Sequence, residues 1–396
     1  MTDCYKPRDE CGLSSAIKDA ATAKMPLVVR GAGSKSAMGR PLGGYAMSLT
    51  TERMRGVSLY EPTELVIGAL PGTPVSEIDR MLAKHNQMLP FEPMDHRVLF
   101  GTSAEPTIGG IVAGNVSGPR RIAVGACRDS LIGVRLVTGR GDVVKSGGRV
   151  MKNVTGLDLV KLNCGAWGTL GVLTEVIFKV LPKPARSLSV GLGGMNDTTA
   201  IAALTAALGS SFAVSAAAHI PASIGSDSTT IVRLEGSDGS VAYGARELAK
   251  LWRSFGRAEL IEGDESANLW LRVRDAHWLA QPMDRSIWRL SLAPSKAPHV
   301  LADIRQKLGV RYFFDWGGGL VWLAVVDADD AGASVVREAM VNTGGHATLV
   351  RASSEIRRRI DVFEPLPPAV LKLTQEIKKS FDPDRVLNFG RMYAGI

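Results

Sequence analysis

The first residues with a chemical signature are Gly-Ala-Gly-Ser-Lys-Ser at positions 31–36, which follow a short apolar strand predicted at 27–30. In a turn of small residues, successive backbone N–H groups can form a concave nest for phosphate oxygens, and Lys35 adds a positive charge. The spacing Gly-x-Gly also begins the fingerprint of a Rossmann dinucleotide-binding fold. However, Ser36 replaces the third glycine of that fingerprint, and the glycines and proline of residues 39–44 exclude the helix that must follow. We therefore predict a phosphate-holding turn outside a Rossmann fold.

A second segment, residues 107–118, combines an apolar helical stripe with glycines at 109, 110, 114 and 118. Glycine weakens a helix, so a segment of this kind needs something to lie against it. The missing side chains on one face would let a planar or phosphate-bearing ligand contact the backbone. Residues 165–171 form a third glycine-rich turn that leads into a strand. Together the three segments predict a binding site for a large phosphate-bearing ligand.

Periodicity predicts the elements that hold these segments. Strands are expected at 57–60, 65–70, 131–138, 143–146 and 170–181, and helices at 12–24 and 74–86. From Arg186 onward, strands at 188–191, 212–218, 230–234, 287–292, 310–315, 320–326 and 347–351 alternate with helices at 198–208, 240–255, 297–308 and 331–341. This β-α-β-β-α-β rhythm favours an antiparallel sheet backed by helices. We therefore predict one domain over residues 1–185, a second over 186–351, and a C-terminal helix and tail over 352–396.

Composition excludes several classes of protein. A chain of 396 residues with 45% hydrophobic and 22% charged residues is typical of a globular protein of two or three domains. No apolar run has the length of a membrane helix, so we expect a cytoplasmic protein. The net charge of +8 is not arranged as a basic stripe with aromatic residues, which argues against nucleic-acid binding. We also predict no metal site, because the cysteines match no zinc, iron–sulfur or disulfide spacing: Cys4, Cys11, Cys127 and Cys164.

The order of several short motifs resembles the FAD-linked oxidases of the vanillyl-alcohol oxidase type, also called PCMH-type. The motifs are Arg30-Gly-x-Gly-Ser34, Thr107-Ile-Gly-Gly110, Ser117-Gly118, Gly125-x-x-Arg-Asp129, Thr155-Gly-x-Asp-Leu159, Gly168-Thr-Leu-Gly171 and Asp382-Pro383…Leu387-Asn388-x-Gly390. More narrowly, the chain is similar over nearly its whole length to the FAD-binding E subunits of bacterial glycolate oxidase. That similarity is carried by Ser117-Gly-Pro-Arg-Arg121, the run Lys145 to Gly156, Gly165-Ala-Trp-Gly-Thr-Leu170, Trp288-Arg-Leu-Ser-Leu292, Asp315-Trp-Gly-Gly318 and Gly345-His-Ala-Thr-Leu349. The resemblance implies an α+β fold: a two-part PCMH-type FAD-binding domain plus an α+β antiparallel-sheet cap domain.

The resemblance also implies FAD as the cofactor, with its diphosphate at residues 31–36. We expect the flavin to be bound non-covalently, because residues 31–39 contain neither the His nor the Cys that would attach it. The residues predicted to bind FAD are Arg30, Gly31, Ala32, Gly33, Ser34, Lys35, Pro93, Thr107, Ile108, Gly109, Gly110, Gly114, Asn115, Ser117, Gly118, Gly168, Leu173, Asn388 and Arg391.

Oxidation of a 2-hydroxy acid, the reaction that the resemblance implies, needs a cation for the carboxylate and a base for the hydroxyl proton. We predict Arg289 and Arg351 as the cations and His346 as the base. Catalytic D-type subunits of the family carry a histidine-rich stretch that supports a metal, whereas the six histidines of this chain are scattered. The catalytic centre therefore lies either on this chain or on a partner subunit.

The function implied by the resemblance is that of an FAD-binding subunit of a glycolate dehydrogenase, which oxidises glycolate or D-lactate to the 2-oxo acid. Its partners would be a second flavin subunit and an iron–sulfur subunit, which would leave it in the cytoplasm or hold it at the inner face of the membrane. Six of the seven tryptophans lie between residues 186 and 351, a concentration that favours contact with partners. Three alternatives stay open: a stand-alone FAD-dependent 2-hydroxy-acid or sugar oxidase, an assembly subunit with a purely structural flavin fold, and a cell-wall precursor reductase.

Overall fold

A computed structural model describes residues 4–43, 47–148, 157–326 and 328–396. Gly44, most of the run Lys145 to Gly156, and the first two residues of the motif Thr155 to Leu159 lie outside the described residues. The first part of the chain contains ten strands: β1 (Cys4–Tyr5), β2 (Leu27–Arg30), β3 (Met47–Thr50), β4 (Val57–Glu61), β5 (Val66–Ala69), β6 (Gln87–Met88), β7 (Leu131–Thr138), β8 (Val143–Gly147), β9 (Gly171–Lys179) and β10 (Leu181–Pro182). Its helices are α1 (Glu10–Thr22), α2 (Val75–Ala83), α3 (Arg97–Phe100), α4 (Ile108–Ala113), α5 (Arg121–Val124), α6 (Cys127–Ser130) and α7 (Leu159–Asn163).

Two separate sheets form most of this part. The small one is parallel, in the order β1-β3-β2, and the larger one is antiparallel, in the order β4-β5-β9-β7-β8. Helix α1 supports the small sheet: the Asp9 carboxylate accepts from the Gly12 N–H at 2.8 Å, and Leu13 and Ile17 are buried one turn apart. The two-part arrangement expected of the first domain is therefore present, with the loop of residues 31–36 directly after β2.

The second part is built on one sheet of eight antiparallel strands in the order β14-β11-β13-β12-β16-β17-β15-β18. The strands are β11 (Arg186–Gly193), β12 (Val214–Ile220), β13 (Thr229–Gly236), β14 (Glu259–Ile261), β15 (Ser286–Ser291), β16 (Val310–Asp315), β17 (Leu320–Val325) and β18 (His346–Arg351). Its helices are α8 (Asp197–Leu208), α9 (Asp238–Leu251), α10 (Gly263–Arg274), α11 (Ala297–Lys307) and α12 (Ala333–Met340). The predicted α+β antiparallel cap is confirmed, while β14 and α10 are additions that the sequence reading did not predict.

The cap sheet separates two hydrophobic cores, because side chains alternate along each strand. On β15, Trp288 packs among the cap helices, whereas its neighbour Ile287 belongs to a core shared with Ile111 and Phe178 of the FAD-binding part. All six tryptophans of the cap are at least nine-tenths buried, so their concentration in this domain does not indicate a partner surface. These side chains fill the two cores instead.

The C-terminal segment returns to the FAD-binding part through α13 (Ile356–Arg359) and α14 (Pro368–Phe381). At the end of α14 the buried ammonium of Lys378 donates to the Thr169 and Leu387 carbonyls at 2.7 and 2.8 Å, and to the Asp382 carboxylate at 2.6 Å. Leu27 of β2 then bridges to Leu387 in parallel. The tail thus becomes part of the wall behind the loop of residues 31–36. Among the described residues, no helix is both long and apolar enough to cross a membrane.

Candidate functional site

A cavity of about 990 Å³ lies where the loop after β2, the start of α4, the turn before β9 and the C-terminal tail meet. Thirteen of the nineteen residues predicted to bind the cofactor line it. They are Arg30, Gly31, Ala32, Gly33, Ser34, Lys35, Thr107, Gly109, Gly110, Gly168, Leu173, Asn388 and Arg391. Segments that are far apart in the sequence are therefore brought together around one space, as the three glycine-rich motifs predict.

Six of the predicted residues stand away from the cavity wall: Pro93, Ile108, Gly114, Asn115, Ser117 and Gly118. Ile108 is fully buried in the shared core. The Asn115 side chain accepts from the Arg128 N–H at 3.0 Å, and the Ser117 hydroxyl accepts from the Cys127 N–H at 2.9 Å. A side chain on Gly118 would begin 2.1 Å from the Glu92 carbonyl oxygen. In the described structure these contacts stabilise the conformation of residues 107–118 and do not form part of the cavity wall.

The loop at one end of the cavity offers a row of backbone donors. Within the described part of the chain, none of the N–H groups of residues 31–35 donates to a protein acceptor. Gly33 has φ of +100°, a conformation that favours glycine and turns the loop back on itself. Successive amides arranged in such a turn can bind the oxygens of a phosphate group. The loop therefore fits the diphosphate of a dinucleotide.

Two buried basic side chains lie beside this loop. In the part of the chain that the structure describes, the Ser34 hydroxyl is the only hydrogen-bond partner of Lys35 Nζ, at 3.4 Å. Burial, offset in part by the charge of Asp95, lowers the pKa of Lys35 to about 8. His96 is buried, and its Nδ1 has no partner among the described residues. Burial, followed by the nearby charge of Lys35, lowers the pKa of His96 to about 3. A buried ammonium with so little protein compensation favours an anionic ligand in the cavity.

The neighbouring glycines Gly109 and Gly110 have different roles. A Cβ on Gly109 would lie 2.6 Å from the Pro71 Cβ and 2.9 Å from the Pro71 carbonyl oxygen, so this glycine is needed for the packing of α4. A Cβ on Gly110 would be in contact range of the Thr107 hydroxyl and, at 3.4 Å, of Lys35 Nζ, without meeting any backbone. Gly110 therefore keeps open the part of the cavity in front of Lys35.

The C-terminal tail holds the wall of the cavity in place. Asn388 accepts from the Val29 N–H at 2.8 Å and donates to the Trp167 carbonyl at 2.7 Å. Arg391 donates to the Lys35 and Ser36 carbonyls at 3.2 and 3.1 Å. Burial, and then repulsion from Arg357, lowers the pKa of Arg391 to about 10. Both side chains connect the tail to β2 and its loop, so the cavity depends on both ends of the chain.

The three predicted catalytic residues do not form one cluster of free groups. Arg351 is buried, and all five of its N–H groups are used by backbone carbonyls, those of Leu99, Leu279, Ala280, Pro282 and Arg285. The prediction that Arg351 binds a substrate carboxylate is therefore contradicted, since no donor is left. Its role is to connect the cap with α3.

Arg289 lies at the boundary between the cap and the FAD-binding part. Its guanidinium carbon is 5.1 Å from the centre of the Trp316 ring, and burial, then repulsion from Arg121, lowers the pKa of Arg289 to about 10. His346 is exposed at the start of β18, opposite Ser291 of the same strand as Arg289. Partial burial and the charge of Arg289 lower the pKa of His346, which keeps its imidazole neutral at neutral pH.

Two charged residues at this boundary were not predicted from the sequence. Arg121 lies over the same Trp316 ring at 4.5 Å, and the only signal for it was its position directly after the glycine-rich segment. Asp315 is buried and accepts from the Trp316 N–H at 2.7 Å. Burial raises the pKa of Asp315 to about 7, so this carboxyl can gain or lose a proton near neutral pH. The sequence points to Asp315 only as the first residue of the motif Asp315-Trp-Gly-Gly318, which carries the resemblance without assigning this carboxyl a role.

Among the described residues, no group of three or more His, Cys, Asp or Glu side chains could hold a metal ion. The family described as "FAD binding domain" matches residues 4–147. The chain is 36% identical over 390 residues to glycolate oxidase subunit GlcE of Escherichia coli, which covers 97% of this chain and 99% of the relative. It is also 29% identical to glycolate oxidase subunit GlcD of Bacillus subtilis, over 45% of this chain and 36% of that protein.

Solved structures agree on the fold. p-Cresol methylhydroxylase superposes with a TM-score of 0.75 at 14% identity, over 98% of this chain and 88% of that chain. FAD is therefore the cofactor, and the open amides and the buried Lys35 fit its diphosphate. Because the similarity to GlcE extends over almost the full length of both proteins, this chain belongs to the GlcE family of FAD-binding glycolate oxidase subunits.

Proposed function

We propose that this chain is the FAD-binding subunit of a complex that oxidises glycolate, or the closely related D-lactate, to the 2-oxo acid. The observation that carries the proposal is the full-length similarity to GlcE, which is itself a subunit of a glycolate oxidase. Shorter similarity to GlcD and to a mitochondrial D-lactate dehydrogenase of Arabidopsis thaliana supports small 2-hydroxy acids as the substrate class. The partners of the complex are a second flavin subunit and an iron–sulfur subunit.

In this proposal FAD supplies the hydride acceptor, and the protein supplies position and charge. The amides of residues 31–35 and the ammonium of Lys35 bind the diphosphate, while Gly110 leaves room beside them. Two groups near Arg289 can take the hydroxyl proton: His346, which is neutral, and Asp315, whose pKa is raised to about 7 by burial. Substrate is held at the boundary of the two domains.

Electrons must then leave the flavin, and a partner subunit is the route that we propose. Two of the four cysteines, Cys127 and Cys164, are buried, and Cys4 and Cys11 lie on the N-terminal segment. These positions supply no cluster-binding set in the described part of the chain. An iron–sulfur partner would provide the one-electron carrier, so full turnover by the isolated chain is not expected.

The test is purification of the tagged chain with its bound proteins and cofactor identified. We expect about one FAD per chain, released intact by acid because the attachment is non-covalent. The FAD-loaded chain alone should be reduced slowly when mixed anaerobically with glycolate, and the co-purifying proteins should restore rapid reduction. Rapid, complete bleaching of the flavin by the isolated chain would show a stand-alone oxidase. A purified protein without flavin would point to a structural assembly subunit.

A further inference from the structure

Two arginines from distant segments converge on one indole ring. Arg121 begins α5, at the end of the glycine-rich segment, and Arg289 lies on β15 of the cap. Their guanidinium carbons are 4.5 and 5.1 Å from the centre of the Trp316 ring. Both distances are within the range of cation–π contact, so the indole fixes both cations at the same place.

Within the described residues, neither cation has an anionic partner. Arg121 and Arg289 make no side-chain hydrogen bond and no salt bridge there, although both are half-buried. Nearby arginines behave differently: Arg233 binds both oxygens of the Glu92 carboxylate at 2.9 and 2.8 Å, and Arg274 pairs with Asp275 at 2.7 Å. The carboxylates of Asp129 and Asp315 attract Arg121 and Arg289, respectively, but neither forms a salt bridge with them. Two like charges at one ring cost free energy that a bound anion would offset further.

The backbone at Trp316 is shaped for this arrangement. Trp316 has φ of +53°, a left-handed conformation that is rare for a bulky side chain and that persists only when its surroundings enforce it. Its N–H donates to Asp315, and its indole N–H donates to the Gly118 carbonyl at 3.1 Å. These bonds join the cap to the end of the segment whose first residues line the flavin cavity. Strain of this kind is typical of a functional site.

The pair also lies at the contact between the two domains. The indole of Trp316, which both guanidiniums face, donates to the Gly118 carbonyl, and the segment that ends at Gly118 begins on the cavity wall. In a 2-hydroxy acid the carboxylate is bonded directly to the carbon that loses hydride. A site for that carboxylate is therefore expected between the flavin cavity and the cap, and both arginines lie where the cap contacts the FAD-binding part.

We propose that Arg121 and Arg289 together bind the carboxylate of a small 2-hydroxy acid, with Trp316 holding the two guanidiniums side by side. That the bound carboxylate belongs to a 2-hydroxy acid rests on the proposed function. One guanidinium comes from each domain, so the carboxylate bridges the cap and the FAD-binding part. Planar guanidinium groups suit this task because each can donate two parallel hydrogen bonds to a carboxylate.

The test is calorimetric titration of the FAD-loaded full chain with oxalate, a carboxylate that the flavin cannot oxidise by hydride transfer. Arg121→Met and Arg289→Met should each weaken oxalate binding by about tenfold to a hundredfold. This is the usual contribution of a charge-assisted hydrogen bond to binding affinity. Arg121→Lys and Arg289→Lys keep the positive charge but lose the planar guanidinium that donates two parallel hydrogen bonds. They should therefore give intermediate oxalate affinities. Arg272→Met is the matched control, because Arg272 lies over a different tryptophan, Trp278, at 4.6 Å.

Each variant must retain its FAD and its circular dichroism, which the absence of hydrogen bonds from Arg121 and Arg289 leads us to expect. Oxamide, the uncharged analogue, should not bind. Unchanged oxalate affinity in both Met variants would overturn the assignment, as would sulfate binding as tightly as oxalate. These results are independent of the proposed function, which fails instead if no partner proteins or glycolate-dependent reduction are found.

Discussion

The loop of residues 31–35 and the arginine pair at Trp316 are proposed anion sites of two different kinds. The loop offers backbone amides from consecutive residues, and the glycine at its turn permits that conformation. The arginine pair offers the side chains of Arg121 and Arg289, which meet only because two domains pack against each other. A backbone site is fixed by local conformation, whereas a side-chain site is fixed by the whole fold. Mutations at one site should therefore change its ligand binding without changing that of the other site.

Gly110→Val should have the largest effect, because a β-branched side chain would fill the space in front of Lys35. We expect FAD affinity to fall about a hundredfold or more, with the folded protein retained, since valine is a better helix former than glycine. Gly33→Val should also lose FAD, with additional strain because φ is +100° there. Flavin content and a fluorescence titration measure both effects.

The matched control for this prediction is Gly239→Val, in a helix of the cap where a new Cβ meets nothing within 4 Å. That variant should bind FAD like the original protein. Equal FAD affinity in Gly110→Val and Gly239→Val would mean that the start of α4 serves packing only, and the cavity would have to be assigned to another ligand.

Arg351→Met should separate stability from ligand binding on the cap. The change leaves five backbone carbonyls without their donor, and we expect the free energy of unfolding to fall by about 2 kcal/mol or more. Urea denaturation followed by circular dichroism measures it. Arg289→Met is the comparison, because it removes no hydrogen bond to any residue within 4–43, 47–148, 157–326 and 328–396 and should change stability by less than about 0.5 kcal/mol. Equal losses in the two variants would disprove the division of roles.

FAD affinity should depend on pH through the protonation state of Lys35. Burial lowers the pKa of Lys35 from its ordinary value of 10.5 to about 8, so Lys35 is half-protonated near pH 8 and is almost entirely an ammonium only about one pH unit lower. We expect FAD affinity to be nearly constant below about pH 7 and to fall above pH 8 by up to about tenfold per pH unit. Lys35→Met should flatten this profile, and a pH-independent affinity of the original protein would contradict the assignment.

The FAD-free protein should show the opposite trend. Between pH 8 and 10.5 the unfolded chain keeps the Lys35 proton that the folded chain has lost, so stability rises with pH in this window. Thermal unfolding of the FAD-free protein at pH 7.5 and 9.5 measures the effect. A fall in melting temperature that persists unchanged in Lys35→Met would show that other groups dominate.

The sequence was sufficient wherever a feature is local. Alternating apolar residues predicted seven strands of the cap, and the small residues after β2 predicted the phosphate-binding turn. Helix α10 was missed because its buried face combines Ser266, Trp270 and Val273, which is a weak apolar stripe. Arg351 was misassigned because the number of carbonyls around a guanidinium is a property of tertiary structure. Arg121 was missed for the same reason, since its partner ring is far away in the sequence.

The tail that brings Asn388 and Arg391 to the cavity has a consequence for biosynthesis. Lys378 ties the end of α14 to the carbonyls of Thr169 and Leu387, and Asn388 bonds to β2. A ribosome makes β2 and its loop long before it makes this tail. The nascent chain can therefore shape the diphosphate turn early, yet it closes the cavity only after residues 378–391 have emerged. We therefore expect cofactor binding to follow the synthesis of this tail, and a fragment limited to residues 4–147 would lack one wall of the cavity.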